Sequence, residues 1–173
     1  MGAENASPSG PLATSITSAQ EGSLGVKFTG NVRVDAAEFA YIERDCKAFK
    51  EEIRDLQGIA LNISRREHWG LGETTQDLES SKVMVGWFRG KAAIVDPSRD
   101  SPNNVYDILQ QHYDIVDQIQ TLHRTIAQKY METDAEFAAE YNSLMANAPA
   151  SPIGTVKVQP GVTPPSPAVG ASS

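Results

Sequence analysis

The chain has 173 residues, 40% of them hydrophobic, and a formal net charge of −7. Length and composition bound it to one domain with tails. Charge is uneven: residues 35–146 hold 20 acidic and 12 basic side chains, while residues 147–173 hold one charge, Lys157. An acidic middle argues against nucleic acid as a partner, because that affinity rests on neutralising phosphates with Lys and Arg. Anionic membrane surfaces are disfavoured for the same reason. No apolar run approaches the roughly 18 residues of a membrane span, so no membrane insertion is expected. The single cysteine, Cys46, allows no internal disulfide and no cysteine-rich metal cluster.

Residues 1–34 are rich in Ser, Gly, Ala and Thr and read as a disordered arm, with 24–34 able to extend. They show neither the basic start nor the apolar stretch of a signal peptide, so synthesis in the cytoplasm without a classical leader is expected.

Asp35-Ala36-Ala37-Glu38 is a capping-box pattern and opens a first helix, expected over 35–66. Phe39, Ile42, Cys46, Phe49, Ile53, Leu56, Ala60 and Ile63 alternate in steps of three and four, a heptad seam. Such a helix is about 48 Å long at 1.5 Å per residue and needs a partner to cover its seam. "HWGLGE", 68–73, ends it, since glycines at 70 and 72 supply the positive φ that a stop and turn require. Thr74 or Thr75 can cap a second helix at about 75–90, with Leu78, Val85, Trp87 and Phe88 as core candidates and Gly86 as a weak point. Pro97 and Pro102 then interrupt the pattern, and residues 90–104 are open to three readings: a kink, a hairpin turn or an ordered loop.

Asn103 or Asn104 can cap a third helix, expected over 104–146. One of its seams is Ile108, His112, Ile115, Ile119, Leu122 and Ile126. A second is Val105, Leu109, Val116, His123, Tyr130, Phe137 and Leu144. Two adjacent seams make a broad stripe suited to more than one neighbour or to a partner protein. The expected helix-pairing set is therefore Phe39, Ile42, Cys46, Phe49, Ile53 and Leu56 on one helix with Ile115, Ile119, Leu122 and Ile126 on the other. After Asn147 come six prolines, a flexible or PPII-like tail over 147–173. The expected fold class is all-α, a helical hairpin or three-helix elongated bundle with disordered tails at both ends.

No catalytic or cofactor-binding constellation stands out. Cys46 lies on the seam, where a packed thiol is the plain reading. His112 and His123 are about 16 Å apart along a helix and cannot share a metal ion. "GWFRGK" lacks the spacing of a phosphate-binding glycine loop. The expectation is a non-enzymatic helical interaction protein without cofactors.

A long heptad helix, a Trp-Gly elbow and a long return arm resemble the WxG helical-hairpin substrates of actinobacterial type VII (ESX) secretion. Trp69, Gly70 and Gly72 occupy the elbow, with the glycines one and three places after the Trp. In "AQKYMETDAEFAAEY", 127–141, Tyr130 and Asp134 match the family's Tyr-x-x-x-Asp secretion motif in spacing and place. The resemblance implies export as a folded dimer, with the elbow Trp and Tyr-x-x-x-Asp as a bipartite signal. It implies pairing with itself or a sister helical hairpin, recognition by a type VII secretion ATPase, and a secreted or cell-envelope location. The alternative is a cytosolic helical adaptor, chaperone or scaffold.

Overall fold

Asp35 starts the first long helix as expected: its carboxylate accepts from Ala37 N at 2.9 Å, and α2 runs Ala36–Arg65. The computed structural model describes residues 8–25 and 34–154; the expected disorder of 1–7, 26–33 and 155–173 concerns residues outside these. The other helices are α1 (Ala13–Gln20), α3 (Glu79–Ala92), α4 (Val105–Thr133) and α5 (Ala135–Asn147). The architecture is all-α. Among the described residues, no helix is long and apolar enough to cross a membrane.

Helices α2 and α4 form an antiparallel pair, and only part of the expected set turns into it. The column Phe39, Cys46, Ile53, Ala60 does turn inward, with Ile53 and Ala60 each 2% exposed. The second column at the seam is polar. Glu43 accepts from Gln120 Nε2 at 2.8 Å and pairs with Arg124. Lys50 meets Asp117 at 2.6 Å, and Gln57 donates to Gln110 Oε1 at 3.1 Å. Arg54 donates to Tyr113 Oη at 2.6 Å. The apolar column one step round is displaced from the seam: Phe49 is 44% exposed, Ile63 is exposed, and Ile42 and Leu56 are half-buried. On α4, Ile119, Leu122 and Ile126 are half-buried and Ile115 is exposed. Apolar spacing predicts the helix but not its contact face, because buried polar pairs compete for that face.

Four further expectations need correction. First, the arm before residue 35 contains α1. Its Ile16 and Ala19 are buried, and Leu12 N donates to Gln118 Oε1 of α4 at 2.9 Å. A weak local pattern is made helical by docking, which composition does not reveal. Second, the helix expected from residue 75 begins at Glu79. Thr75 is spent in a preceding turn, where its N–H donates to Gly72 O at 2.9 Å and its carbonyl accepts from Leu78 N at 3.3 Å. Third, the last helix is two. Asp134 takes extended backbone, φ −131° and ψ 104°, and its carboxylate accepts from Glu136 N and Phe137 N, so it caps α5. Fourth, the tail expected from 147 begins on the protein surface: Arg44 Nη1 donates to Pro149 O at 3.1 Å, and Ser151 Oγ to Asp45 Oδ1 at 2.7 Å.

The proline-containing stretch is an ordered loop. Asp100 Oδ2 accepts from Val95 N and Asp96 N at 2.9 and 2.8 Å. Asn104, 1% exposed, caps α4 by accepting from Asp107 N at 2.9 Å. The loop folds back on α3 where Gly86 and Gly90 leave room. A Cβ at Gly90 would stand 2.2 Å from Asp100 Oδ1, and one at Gly86 would stand 3.3 Å from Arg99 Nη2.

A Cβ at mid-helix Gly58 would meet nothing within 4 Å. Gly58→Ala is therefore expected to stabilise the protein by about 1 kcal/mol in urea unfolding, the propensity difference between the two residues. Gly90→Ala gains the same propensity yet displaces Asp100. It is expected to speed hydrogen exchange at the Val95 and Asp96 amides and to raise stability by less than Gly58→Ala. Ile53→Ala is expected to cost about 2–5 kcal/mol.

Candidate partner-binding surface

The elbow is built by one carboxylate. Glu73 turns back and accepts from the amides of Trp69, of Gly70 at 3.2 Å and of Leu71 at 2.8 Å. Three successive N–H groups converging on one side chain form an anion nest. They hold the Glu73 carboxyl down at about 2, the Trp69 amide contributing most. Gly70 and Gly72 have φ of +72° and +86°, the left-handed region that glycine enters without steric cost. Trp69 is half-buried. Its Nε1 donates to Arg66 O at 3.1 Å, the Arg66 guanidinium lies 5.7 Å from its ring, and its ring stacks on Phe88 at 5.7 Å and 21°.

That stack joins the elbow to α3, a helix turned inside out. Its inner side is small or polar: Ser81, Val85 and Ala92 are buried, and Arg89 Nε donates to Ser64 O at 2.6 Å. Its bulky residues point to solvent. Val83, Met84, Trp87 and Phe88 stand at helical spacing on one face; all are exposed, Trp87 by 64%. Leu71 and Leu78 before the helix and Ile94 and Val95 after it are exposed too. Of the core candidates Leu78, Val85, Trp87 and Phe88, only Val85 is buried. A contiguous apolar surface with an exposed Trp and an aromatic neighbour has the composition of a binding-interface centre.

Trp69 and Tyr130, the two halves of the expected signal, are not brought together. Tyr130 sits beside the N-terminal turns of α2, its ring 6.3 Å from Phe39 and 5.5 Å from Phe137. Trp69 lies beyond the other end of α2, about 45 Å away by helix length. Tyr130 and Asp134 do share one feature, the α4–α5 junction: the Tyr130 carbonyl accepts from Asp134 N at 2.8 Å. Asp134 is exposed while it caps α5. His112 is exposed; His123 packs on Phe39 at 6.0 Å, with Nδ1 2.8 Å from Ile119 O. Burial, more than the neighbouring Glu43, pushes the half-buried Cys46 thiol up, which suits a packed rather than a reactive cysteine.

Sequence reasoning misses the α3 surface because it assumes that large apolar residues face inward. A signal is present: Ser81, Gly86, Gly90, Ala92 and Ala93 surround Trp87 and Phe88, and small residues mark the side on which a helix is approached closely. Comparison with protein-family models, with characterised proteins and with solved structures finds no match.

The Glu73 nest makes the elbow sensitive to acid. With a folded pKa of about 2, below the ordinary carboxylate range, its contribution is complete above pH ~4.5 and fades as pH falls toward 2. Trp69 emission, isolated in a Trp87→Phe background, is expected to hold steady from pH 7 to about 4 and to change only below about 3. A midpoint near 4.5 would show that the nest does not hold the carboxylate. Glu73→Ala is expected to reproduce the acid spectrum at neutral pH.

Proposed function

We propose that this chain is a non-enzymatic helical interaction protein of type VII secretion, and that the α3–elbow surface is where its partner docks. The observation that carries the interaction reading is the outward-facing Val83–Met84–Trp87–Phe88 stripe. Covering it removes apolar area from water at about 25 cal/mol per Å², and a rigid aromatic pair of this kind is what interface hot spots are made of. The partner is a second copy or a sister helical-hairpin protein, exported folded with it. The secretion part of the reading rests on the resemblance carried by Trp69, Gly70, Gly72, Tyr130 and Asp134. The separation of the two half-signals supports a dimer-dependent signal. In an antiparallel pair, one protomer's elbow comes beside the other's α4–α5 junction, and a secretion ATPase reading both would act on assembled pairs only. The other reading is a cytosolic adaptor or scaffold that keeps its partner on the stripe permanently.

The test is the ratio of tagged protein in culture filtrate to that in lysate, in hosts with and without the secretion ATPase. ATPase-dependent export is expected; retention in both hosts would leave the adaptor. Two conservative variants separate signal from fold. Asp134→Asn keeps a good helix cap and removes the charge, and Tyr130→Phe keeps the packing and removes the hydroxyl. Each is expected to lower export several-fold without loss of helicity. Trp87→Ala is expected to weaken partner binding by about 2 kcal/mol or more, the hot-spot range, measured by co-purification and calorimetry. It is expected to leave the unfolding free energy of the isolated chain within about 0.5 kcal/mol of wild type.

A further inference from the structure

Two columns of the chain carry uncovered apolar residues, and they match each other. On α2, Glu52, Leu56, Ile59 and Ile63 follow in steps of four, three and four, beside the Ile53 and Ala60 column that turns inward. Ile59 is 52% exposed, Ile63 is exposed and Leu56 is half-buried. On α3, Ser80, Met84, Trp87 and Lys91 are spaced by four, three and four as well, and all are exposed. Laid antiparallel, the two columns keep one register over about three turns. Lys91 meets Glu52, Trp87 meets Leu56, Met84 meets Ile59 and Ser80 meets Ile63, as antiparallel helices in heptad contact require. The α3 of the same chain does not supply this contact, because it turns Ser81, Val85 and Ala92 inward and holds the column in solvent.

Charge selects the occupant. The chain is acidic overall, at −7, yet the α3 column ends in a lysine. Lys91 has no ion pair among the described residues, and neither has Glu52 or the exposed Asp55. Pairing α3 with a second α3 would keep an apolar register but set Lys91 against Ser80 and leave the α2 column in water. Pairing α3 with α2 gives the lysine two carboxylates and covers both columns at once. We infer that the chain self-associates, the α3 column of one copy docking antiparallel on the Glu52–Ile63 column of another. The two faces differ, so copies close a ring, of two or more, or grow end to end. This rests on the reading of α3 as the docking surface and names its partner as a second copy; it does not rest on the secretion reading.

Sedimentation velocity of the full chain, from micromolar to millimolar concentration, tests it. Average mass is expected to rise with concentration. Trp87→Asp and Ile59→Asp, each at an exposed position, are expected to keep the chain monomeric with unchanged helicity. Lys91→Glu, and Glu52→Lys with Asp55→Lys, are each expected to weaken association roughly tenfold, as facing charges turn from opposite to like. An equimolar mixture of these two charge-reversed chains is expected to recover it, since each carries the complement of the other. A wild-type chain that stays monomeric would overturn the inference and leave α3 open to a different protein. Association lost in Trp87→Asp but indifferent to Ile59→Asp and to the α2 charge reversals would overturn it too, and would set α3 against a second α3. Association that survives Trp87→Asp would overturn both this inference and the reading of α3 beneath it.

Discussion

The polar seam between α2 and α4 is the constraint on which the rest of the molecule depends. Its partners keep strict register: Glu43 meets Arg124, Lys50 meets Asp117 and Gln57 meets Gln110. Each step of seven along α2 is answered by a step of seven back along α4, as antiparallel helices in heptad contact require. A slip of one heptad would set Glu43 against Asp117 or Lys50 against Arg124. Like charges facing each other at the seam are unfavourable, although solvent reaches Asp117 and Arg124, whose side chains are 53% and 49% exposed, and screens part of the cost. The ladder therefore specifies alignment where an apolar seam of similar residues would tolerate slippage. One oxygen, Glu43 Oε2, is buried without a hydrogen-bond partner, so the ladder itself is not satisfied at every atom.

A seam made polar displaces apolar residues elsewhere. At one end they find each other. Phe39, Tyr130, Phe137 and Tyr141 form a chain of ring contacts at 5.5–6.3 Å, over Ala36, Ala40 and Ala127. The cap at Asp134 makes this possible, because breaking the long helix lets α5 turn back onto α2. At the other end, α3 packs on α2, with Arg89 Nε donating to Ser64 O, and its buried residues include Ser81, Val85 and Ala92. The exposed apolar surface of α3 sits at this end, away from the aromatic cluster.

Much of this is legible in the sequence. The all-α class, the Asp35 cap, an Asn cap at 103 or 104 and the glycine elbow rest on local chemistry and on periodicity, which act over a few residues. What is not legible depends on competition between distant groups. The step-three-and-four pattern from Phe39 to Ile63 is a correct helix signal. Which column faces α4 is decided by Glu43, Lys50 and Gln57, whose partners lie far along the chain on α4. Likewise the sequence from Ala13 to Gln20 has too little propensity to stand alone, and only the α4 surface makes it a helix. Asp134 matches half of a motif, and its capping role is hidden because the periodic pattern continues through it to Leu144.

The Trp69–Phe88 stack changes how the elbow is understood. As sequence, Trp69 with its glycines reads as a turn or a signal, and Trp87-Phe88 reads as core. In space they are one surface. Trp69 is held from below by Phe88 and flanked by the Arg66 guanidinium, while Glu73 fixes the backbone that carries it. A protein that docks on the indole of Trp69 therefore lies against Phe88, and by helical spacing against Met84 and Trp87. Recognition of the elbow and coverage of the stripe are then not separate events, because the same partner atoms must satisfy both. A partner helix long enough to reach from Trp69 to Val83 would replace the water on the stripe and shield the Glu73 nest at the same time. The elbow's shape, set by one carboxylate and two glycines, would then govern how that partner is aligned.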